Sequence, residues 1–227
     1  MRKAVILVSG GIDSTTVLAM ALRDEFEIYP ITFIYGQKHM VEIEKARKVV
    51  KYFKLKNHKI INVDLGAFGG SALTDSSIEV PKYKNKDEIG NIIPITYVPA
   101  RNTIFLSMAL AYAEVIGSYD LFIGVHAQDC SNYPDCRPEF INAFENMANK
   151  AVGYTTNERK IKIHTPIIEM TKSQIIEIGT QLEIDYSNTI SCYNATLDGL
   201  SCGSCLSCLI RKDGFKKNDM IDPTIYI

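Results

Sequence analysis

Six residues near the start of the chain, Ser9-Gly10-Gly11-Ile12-Asp13-Ser14, have the make-up of a phosphate cradle. Gly10 and Gly11 permit backbone angles closed to other residues and let a ligand approach the main chain. A helix opening directly after them would aim its free N–H groups and positive dipole end at the turn. Ser9, Ser14 and Thr15 add hydroxyl donors. No GxxxxGK[ST] pattern is present, so this is not a Walker A loop. The plainer alternative is a Gly-Gly turn whose Asp and Ser cap the helix.

A second cluster lies near the other end. Cys192, Cys202, Cys205 and Cys208 supply four thiols within a short span, three of them at x2 spacing. In a small secreted protein such a pattern would suggest disulfides, but after a large enzyme-like region it points to metal. Four thiolates suit a tetrahedral, structural Zn²⁺ with no exchangeable position. An iron–sulfur cluster is the competing reading, since closely spaced cysteines also ligate iron. Gly199 and Gly203 supply turns around the ion.

The elements that must position these groups follow from periodicity. Residues 4–8 (AVILV) form an unbroken apolar run, the mark of a strand buried on both faces. Thr15 to Leu22 reads as a helix, 28–34 and 58–63 as strands, and Met40 to Leu55 as a helix between them. Residues 66–97 carry Gly, Ser, Pro and Lys clusters without a period and read as a long functional loop. An apolar helix follows over 102–116, then a strand over 120–125, a helix over 137–150 and a last strand over 161–163. Thr171-Lys172-Ser173-Gln174 fits a capping box opening a helix that ends near Leu182. Strand–helix alternation predicts an α/β fold, an open parallel sheet with flanking helices. The expected division is a nucleotide-binding domain over 1–185 and a four-cysteine segment over 186–227 packed on it.

Composition is that of an ordinary globular protein, 46% hydrophobic and 22% charged. No apolar stretch approaches the roughly 20 residues of a membrane span, and the chain runs from Met1-Arg2-Lys3 straight into a strand. A soluble, cytoplasmic protein is expected. The net charge of −1 favours a small-molecule substrate over a nucleic acid.

Ser9-Gly10-Gly11-Ile12-Asp13-Ser14 resembles the SGGxDS motif of the PP-loop ATP pyrophosphatases, whose Rossmann-like fold binds ATP, expels pyrophosphate and transfers AMP to a substrate oxygen. The resemblance implies a nucleotide site over Leu7, Val8, Ser9, Gly10, Gly11, Ile12, Asp13, Ser14 and Thr15, with Tyr35 and Gln37 beside it and Asp13 near Mg²⁺. Further motifs narrow the family. Tyr35-Gly36-Gln37-Lys38-His39, Val98-Pro99-Ala100-Arg101-Asn102, Tyr133-Pro134-Asp135-Cys136-Arg137-Pro138-Glu139-Phe140 and the cysteine run resemble the 7-cyano-7-deazaguanine synthases, from Val5 to Pro223. That resemblance implies a ligase joining 7-carboxy-7-deazaguanine and ammonia through adenylated acid and amide. It also implies a homodimer.

The roles it suggests are specific. Asp13, Arg101 and Lys172 would be catalytic, Arg101 on the acyl-phosphate region and Lys172 on the phosphates. Arg101, Asn102, Tyr133, Asp135, Arg137 and Phe140 would hold the base. In that set Asp135 accepts its guanidine-type N–H groups, Tyr133 and Phe140 stack, and Arg137 donates to its carbonyl. A surface cap for Arg101, a solvated Lys172, a turn-forming Asp135 and a structural His39 are the plainer alternatives.

Two departures stand out. Ala100 replaces the glycine of the family's VPGRN signature and would be strained if that position needs positive φ. Asp129-Cys130-Ser131-Asn132 also differs from the family's usual DYSGYPDC context. The rival functions are a tRNA-modifying sulfurtransferase, which would depend on Cys130 or Cys136, and a non-catalytic, zinc-stapled nucleotide sensor.

Overall fold

The structure is a computed structural model that describes residues 1–85, 88, 92–126, 133–156 and 158–227. Five strands, β1 (Lys3–Leu7), β2 (Glu27–Ile34), β3 (Lys59–Asn62), β4 (Asp120–Phe122) and β5 (Lys162–His164), form one sheet in the order β3-β2-β1-β4-β5. Every pairing is parallel, with Val5 beside Tyr29 on one flank and Leu121 on the other. Six helices are described: α1 (Ile12–Arg23), α2 (Val41–Tyr52), α3 (Arg101–Ile116), α4 (Pro138–Ala151), α5 (Lys172–Gln181) and α6 (Leu206–Lys217).

Side chains alternate across a strand, so the central strand feeds two cores. Val5 and Leu7 face one layer with Ile31, Phe33, Leu121 and Ile163, covered by Phe105, Leu106 and Ala109 of α3 and Ile141 and Phe144 of α4. Ala4, Ile6 and Val8 face the other, with Val17 and Leu18 of α1, Val49 of α2, Ile175 and Ile176 of α5 and Phe215 of α6. Burial on both sides is why residues 4–8 read as an unbroken apolar run rather than an alternating one.

The expected alternation is present, with shifted bounds. The first helix starts three residues earlier than Thr15, at Ile12, and the fourth strand stops at Phe122 rather than residue 125. Within 66–97 the described residues are mostly irregular chain, with a 3-10 turn at Gly66–Phe68. The capping box is present in full, Thr171 accepting from the Gln174 amide while Gln174 accepts from Thr171. Helix α6 was not foreseen in the cysteine segment. No helix is long and apolar enough to cross a membrane among the described residues.

Strand order reverses between β1 and β4, whose chains leave the sheet in opposite directions. Their carboxyl ends therefore part to leave a crevice, the usual ligand position in such sheets. The glycine turn lies at one lip of it and residues 123–126 at the other.

Candidate active site

The crevice is a cleft of about 230 Å³. Leu7, Val8, Ser9, Gly11, Ile12, Asp13 and Ser14 line one side, and Ile123, Gly124, Val125 and His126 another. Gly10 does not line it. Its φ is +81°, and a Cβ there would fall 2.6 Å from the Ala46 amide nitrogen and 2.7 Å from the Glu42 carbonyl, so it lets α2 press against the turn. Thr15 also turns away, donating its hydroxyl to the Gly11 carbonyl at 2.8 Å. At Gly124 a Cβ would meet the backbone of Asp13 and Ser14 at 2.9 Å, which brings the end of β4 hard against the start of α1.

Gly11 is the N-cap of α1 and offers no side-chain cap. The first amides of that helix therefore have no intrahelical acceptor, and they open on the cleft with the positive end of the helix dipole. Ser9 and Ser14 share a hydroxyl contact of 3.0 Å across the turn, and the Ser9 amide donates to Ser14 Oγ. The turn is thus concave, with backbone and hydroxyl donors at the edge of the cleft.

Asp13 sits behind this turn in a compact polar cluster. Lys172 Nζ donates to Asp13 Oδ1 at 2.5 Å, His126 Nε2 lies 3.4 Å from Asp13 Oδ2, and Lys172 and His126 are 3.2 Å apart. Burial alone would raise the Asp13 carboxyl, but the charges and hydrogen bonds of Lys172 and His126 outweigh it and hold the group well below the usual carboxylate range. Lys172 is buried rather than solvated, and Gly214 of α6 lets its stem pass, since a Cβ there would lie 2.8 Å from the Lys172 Cγ. His126 escaped sequence reasoning; it follows an apolar strand without any motif around it.

Tyr35, Gln37, Arg101, Asn102 and Tyr133 also reach the cleft. Gln37 closes the end of β2, accepting from the Tyr35 amide at 2.7 Å and donating to the Phe33 carbonyl at 3.3 Å. The Arg101 guanidinium stands 5.7 Å from the Tyr35 ring centre in a cation–π contact. Tyr133 is fixed by a 2.8 Å bond between its hydroxyl and that of Thr96. His39 does not line the cleft.

The loop after β4 packs against the start of α3. The Asp135 carboxylate accepts from the Asn102 amide at 2.9 Å, and Asn102 returns a bond to the Asp135 carbonyl at 3.1 Å. Asp135 thus serves the N-terminus of α3, whose own N-cap residue has no capping side chain, instead of facing the cleft. Arg137 is exposed at the start of α4, and Phe140 packs on the core beside Phe144. Cys136 is buried and lines the cleft; Cys130 and the rest of 129–132 lie outside the described residues. Ala100 adopts φ +53°, so the position does need the left-handed region that glycine favours.

The four cysteines of the C-terminal segment converge. Their sulfurs all lie within 4.8 Å of one another and are largely buried, so they could hold a metal ion. Backbone amides of Tyr193, Asn194, Cys202 and Cys205 point at these sulfurs at 3.2–3.4 Å, the environment that favours thiolates. Cys205 caps α6 and Cys208 lies one turn on, which puts both sulfurs on the same side of the helix. The segment also closes one wall of the cleft with Ile190, Ser191, Tyr193 and Ser207. Arg211, buried, holds the segment together from within through Asp222 at 3.0 Å, Thr189 at 2.9 Å and the Tyr186 carbonyl at 3.2 Å.

Comparison with known proteins agrees with this geometry. The family model described as "Queuosine biosynthesis protein QueC" matches residues 3–219. The 7-cyano-7-deazaguanine synthase of Rickettsia canadensis (strain McKiel) is 58% identical over 227 residues, all of both chains. That of Rickettsia akari (strain Hartford) is 56% identical over the same span. Among solved structures, a 4-thiouridine synthetase–RNA complex with bound ATP superposes with a TM-score of 0.51 at 20% identity, over 95% of this chain and 53% of that one. NMN synthetase from Francisella tularensis gives 0.50 at 17% identity, over 96% and 77%. The last two likenesses speak to fold alone. The chain belongs to the family of the queuosine biosynthesis protein QueC.

Proposed function

We propose that this chain is an AMP-forming carbon–nitrogen ligase that converts 7-carboxy-7-deazaguanine and ammonia to 7-cyano-7-deazaguanine, at the cost of two ATP. The observation that carries this is the full-length match to the Rickettsia canadensis synthase, joined to an anion cradle at the switch point of the sheet. A carboxylate is a poor electrophile, and transfer of AMP to its oxygen replaces a reluctant leaving group with a good one. Ammonia then forms the C–N bond and expels AMP. Dehydrating the amide needs the same device, so its oxygen takes AMP from a second ATP, and loss of that AMP with the nitrogen's protons leaves the nitrile.

In this account Ser9, Gly11, Ile12 and Ser14 grip the two outer phosphates, Gly10 lets the turn seat against α2, and Leu7, Val8, Tyr35 and Gln37 shape the nucleotide wall. Lys172 holds Asp13 in place and meets the phosphate charge. Mg²⁺, when bound, neutralises the phosphate oxygens; an ionised Asp13 beside the turn suits such a hard cation. Arg101, with Asn102 and Tyr133, receives the acid, its guanidinium matching a carboxylate or acyl phosphate. Asp135 acts by positioning Arg101 and Asn102. Binding and orientation supply most of the acceleration in such chemistry.

We assign the cysteine cluster to a structural Zn²⁺. Zn–S bonds of about 2.3 Å in a tetrahedron put sulfurs roughly 3.8 Å apart, which the observed spacing accommodates, whereas cluster thiolates sit on separate irons. The same account makes 1–185 the catalytic domain and 186–227 a metal-stapled wall of its cleft. It places the enzyme in the cytoplasm as a homodimer acting on a free base destined for queuosine or archaeosine in tRNA. The exposed Ile221, Ile225 and Ile227 and the net charge of −1 support self-association over nucleic-acid binding.

Incubation with the acid, ammonium, Mg²⁺ and ATP tests the proposal: two AMP and two pyrophosphate should form per cyano base. Folded, metal-loaded protein that releases no acid-dependent AMP would refute it.

A further inference from the structure

Two carboxylates line the cleft, Asp13 and Glu42. Asp13 is committed to Lys172 and His126. Glu42 stands in the first turn of α2, two residues after the Met40 cap, and among the described residues its carboxylate makes no hydrogen bond or ion pair. Its backbone packs directly on the glycine turn, where a Cβ on Gly10 would fall 2.7 Å from the Glu42 carbonyl oxygen. Arg101 from the start of α3 and Tyr35 from the end of β2 are the charged and titratable groups that face it. Beyond the Arg101 charge that faces it, the carboxylate has no hydrogen-bonding partner among the described residues, so its oxygens are available to a small cation in the cleft.

We propose that Glu42 receives the ammonium ion and takes its proton as the nitrogen attacks the adenylated acid. The inference rests on the ligase reading above. At neutral pH ammonia is almost wholly ammonium, which has no electron pair to give. Breaking one N–H bond leaves that pair on nitrogen and the proton on Glu42. The pair then forms the bond to the acyl carbon while the C–O bond to AMP breaks, AMP leaving with its electrons. The attached nitrogen sheds its extra proton to water, and Glu42 returns its own to water before the next cycle. Burial pushes the Glu42 carboxyl up to about 7, against the opposing charge of Arg101, so it gains and loses a proton readily at working pH.

The test uses the full chain and its Glu42→Gln variant with acid, ATP and Mg²⁺, offering either ammonium or hydroxylamine, which is already neutral at pH 7. The variant's kcat/KM for ammonium should fall by about 100-fold or more, the range for loss of a general base. Hydroxamate formation should stay within a few-fold of wild type, and raising the pH should recover part of the ammonium rate by supplying free ammonia. Glu42→Asp, which keeps a carboxylate, should lie between the two. Equal loss with both nucleophiles would assign Glu42 to phosphate or Mg²⁺ binding and overturn the proposal, as would an unchanged ammonium rate. If wild type forms no acid-dependent AMP with either nucleophile, the ligase reading itself fails; if it uses ammonium but forms no hydroxamate, no neutral nucleophile reaches the acyl carbon and the proposal for Glu42 is overturned. A thermal melt of each variant separates loss of fold from loss of chemistry.

Discussion

Gly10 offers the sharpest mutational probe of the cleft, because two separable penalties meet there. Replacing it with Ala places a Cβ in the left-handed region, which costs about 1–2 kcal/mol. The same atom lands 2.6 Å from the Ala46 nitrogen and 2.7 Å from the Glu42 oxygen, both backbone atoms of α2 that cannot swing aside. Relieving such an overlap by shifting a packed helix costs about 1–3 kcal/mol more. Gly70 is the internal control: its φ is +80°, yet nothing lies within 4 Å of its Cβ position. Gly70→Ala therefore carries only the first penalty, and the smaller unfolded-state entropy of Ala offsets both variants equally. For a chain of this size each kcal/mol shifts Tm by about 2–4 °C. Net of that offset of about 0.4–1 kcal/mol, Gly70→Ala should lower Tm by roughly 0–6 °C and Gly10→Ala by roughly 2–18 °C. Scanning calorimetry under one buffer decides it, with ATP affinity measured alongside, since a displaced α2 distorts the turn. If Gly10→Ala melts no lower than Gly70→Ala, α2 does not press on the turn and the description of the cradle is wrong.

Other consequences are as direct. Ala100→Gly should leave Tm unchanged or raise it by a few degrees, the relief of about 1–2 kcal/mol being offset by greater unfolded-state freedom; a clear fall would mean that the left-handed geometry is not strained. Asp13→Asn should abolish pyrophosphate release while far-ultraviolet circular dichroism stays native. Because the Asp13 carboxyl is held below its ordinary 3.8, its contribution is complete above that pH and is lost as pH falls through the folded value, so the Tm gap between wild type and Asp13→Asn should shrink below about pH 4. A gap independent of pH would contradict the Lys172–Asp13–His126 cluster. Cys205→Ser should lose bound zinc by elemental analysis and melt well below wild type, since it opens a closed site that also forms a wall of the cleft; unchanged zinc and Tm would remove the cysteine assignment.

What the sequence made legible was what local pattern encodes. The run over 4–8 is apolar at every position because β1 feeds both cores, and the glycine turn reads as a cradle because only the backbone is involved. The capping box of α5 is likewise a four-residue affair. Helix α6 was hidden, since what it buries includes Arg211 and Gly214 and it lacks an apolar stripe. The bond that the Asp135 carboxylate makes in the fold was not legible, because the Asn102 amide lies 33 residues away in sequence. His126 and Glu42 were silent for a related reason. One looks like the end of a strand and the other like an ordinary acid in a first helical turn, and only the closure of the sheet sets them on a common cleft. The strain at Ala100 could be anticipated, because a glycine in the family motif marks a backbone angle rather than a contact.

The claim at the centre is that the acid's own oxygens, one after the other, accept the innermost phosphoryl group of ATP. Labelling both carboxylate oxygens of 7-carboxy-7-deazaguanine with oxygen-18 and weighing the nucleotide products tests it. One heavy oxygen should appear in each AMP formed, with pyrophosphate unlabelled and both labels gone from the nitrile. Unlabelled AMP, or ADP with labelled orthophosphate, would contradict the account.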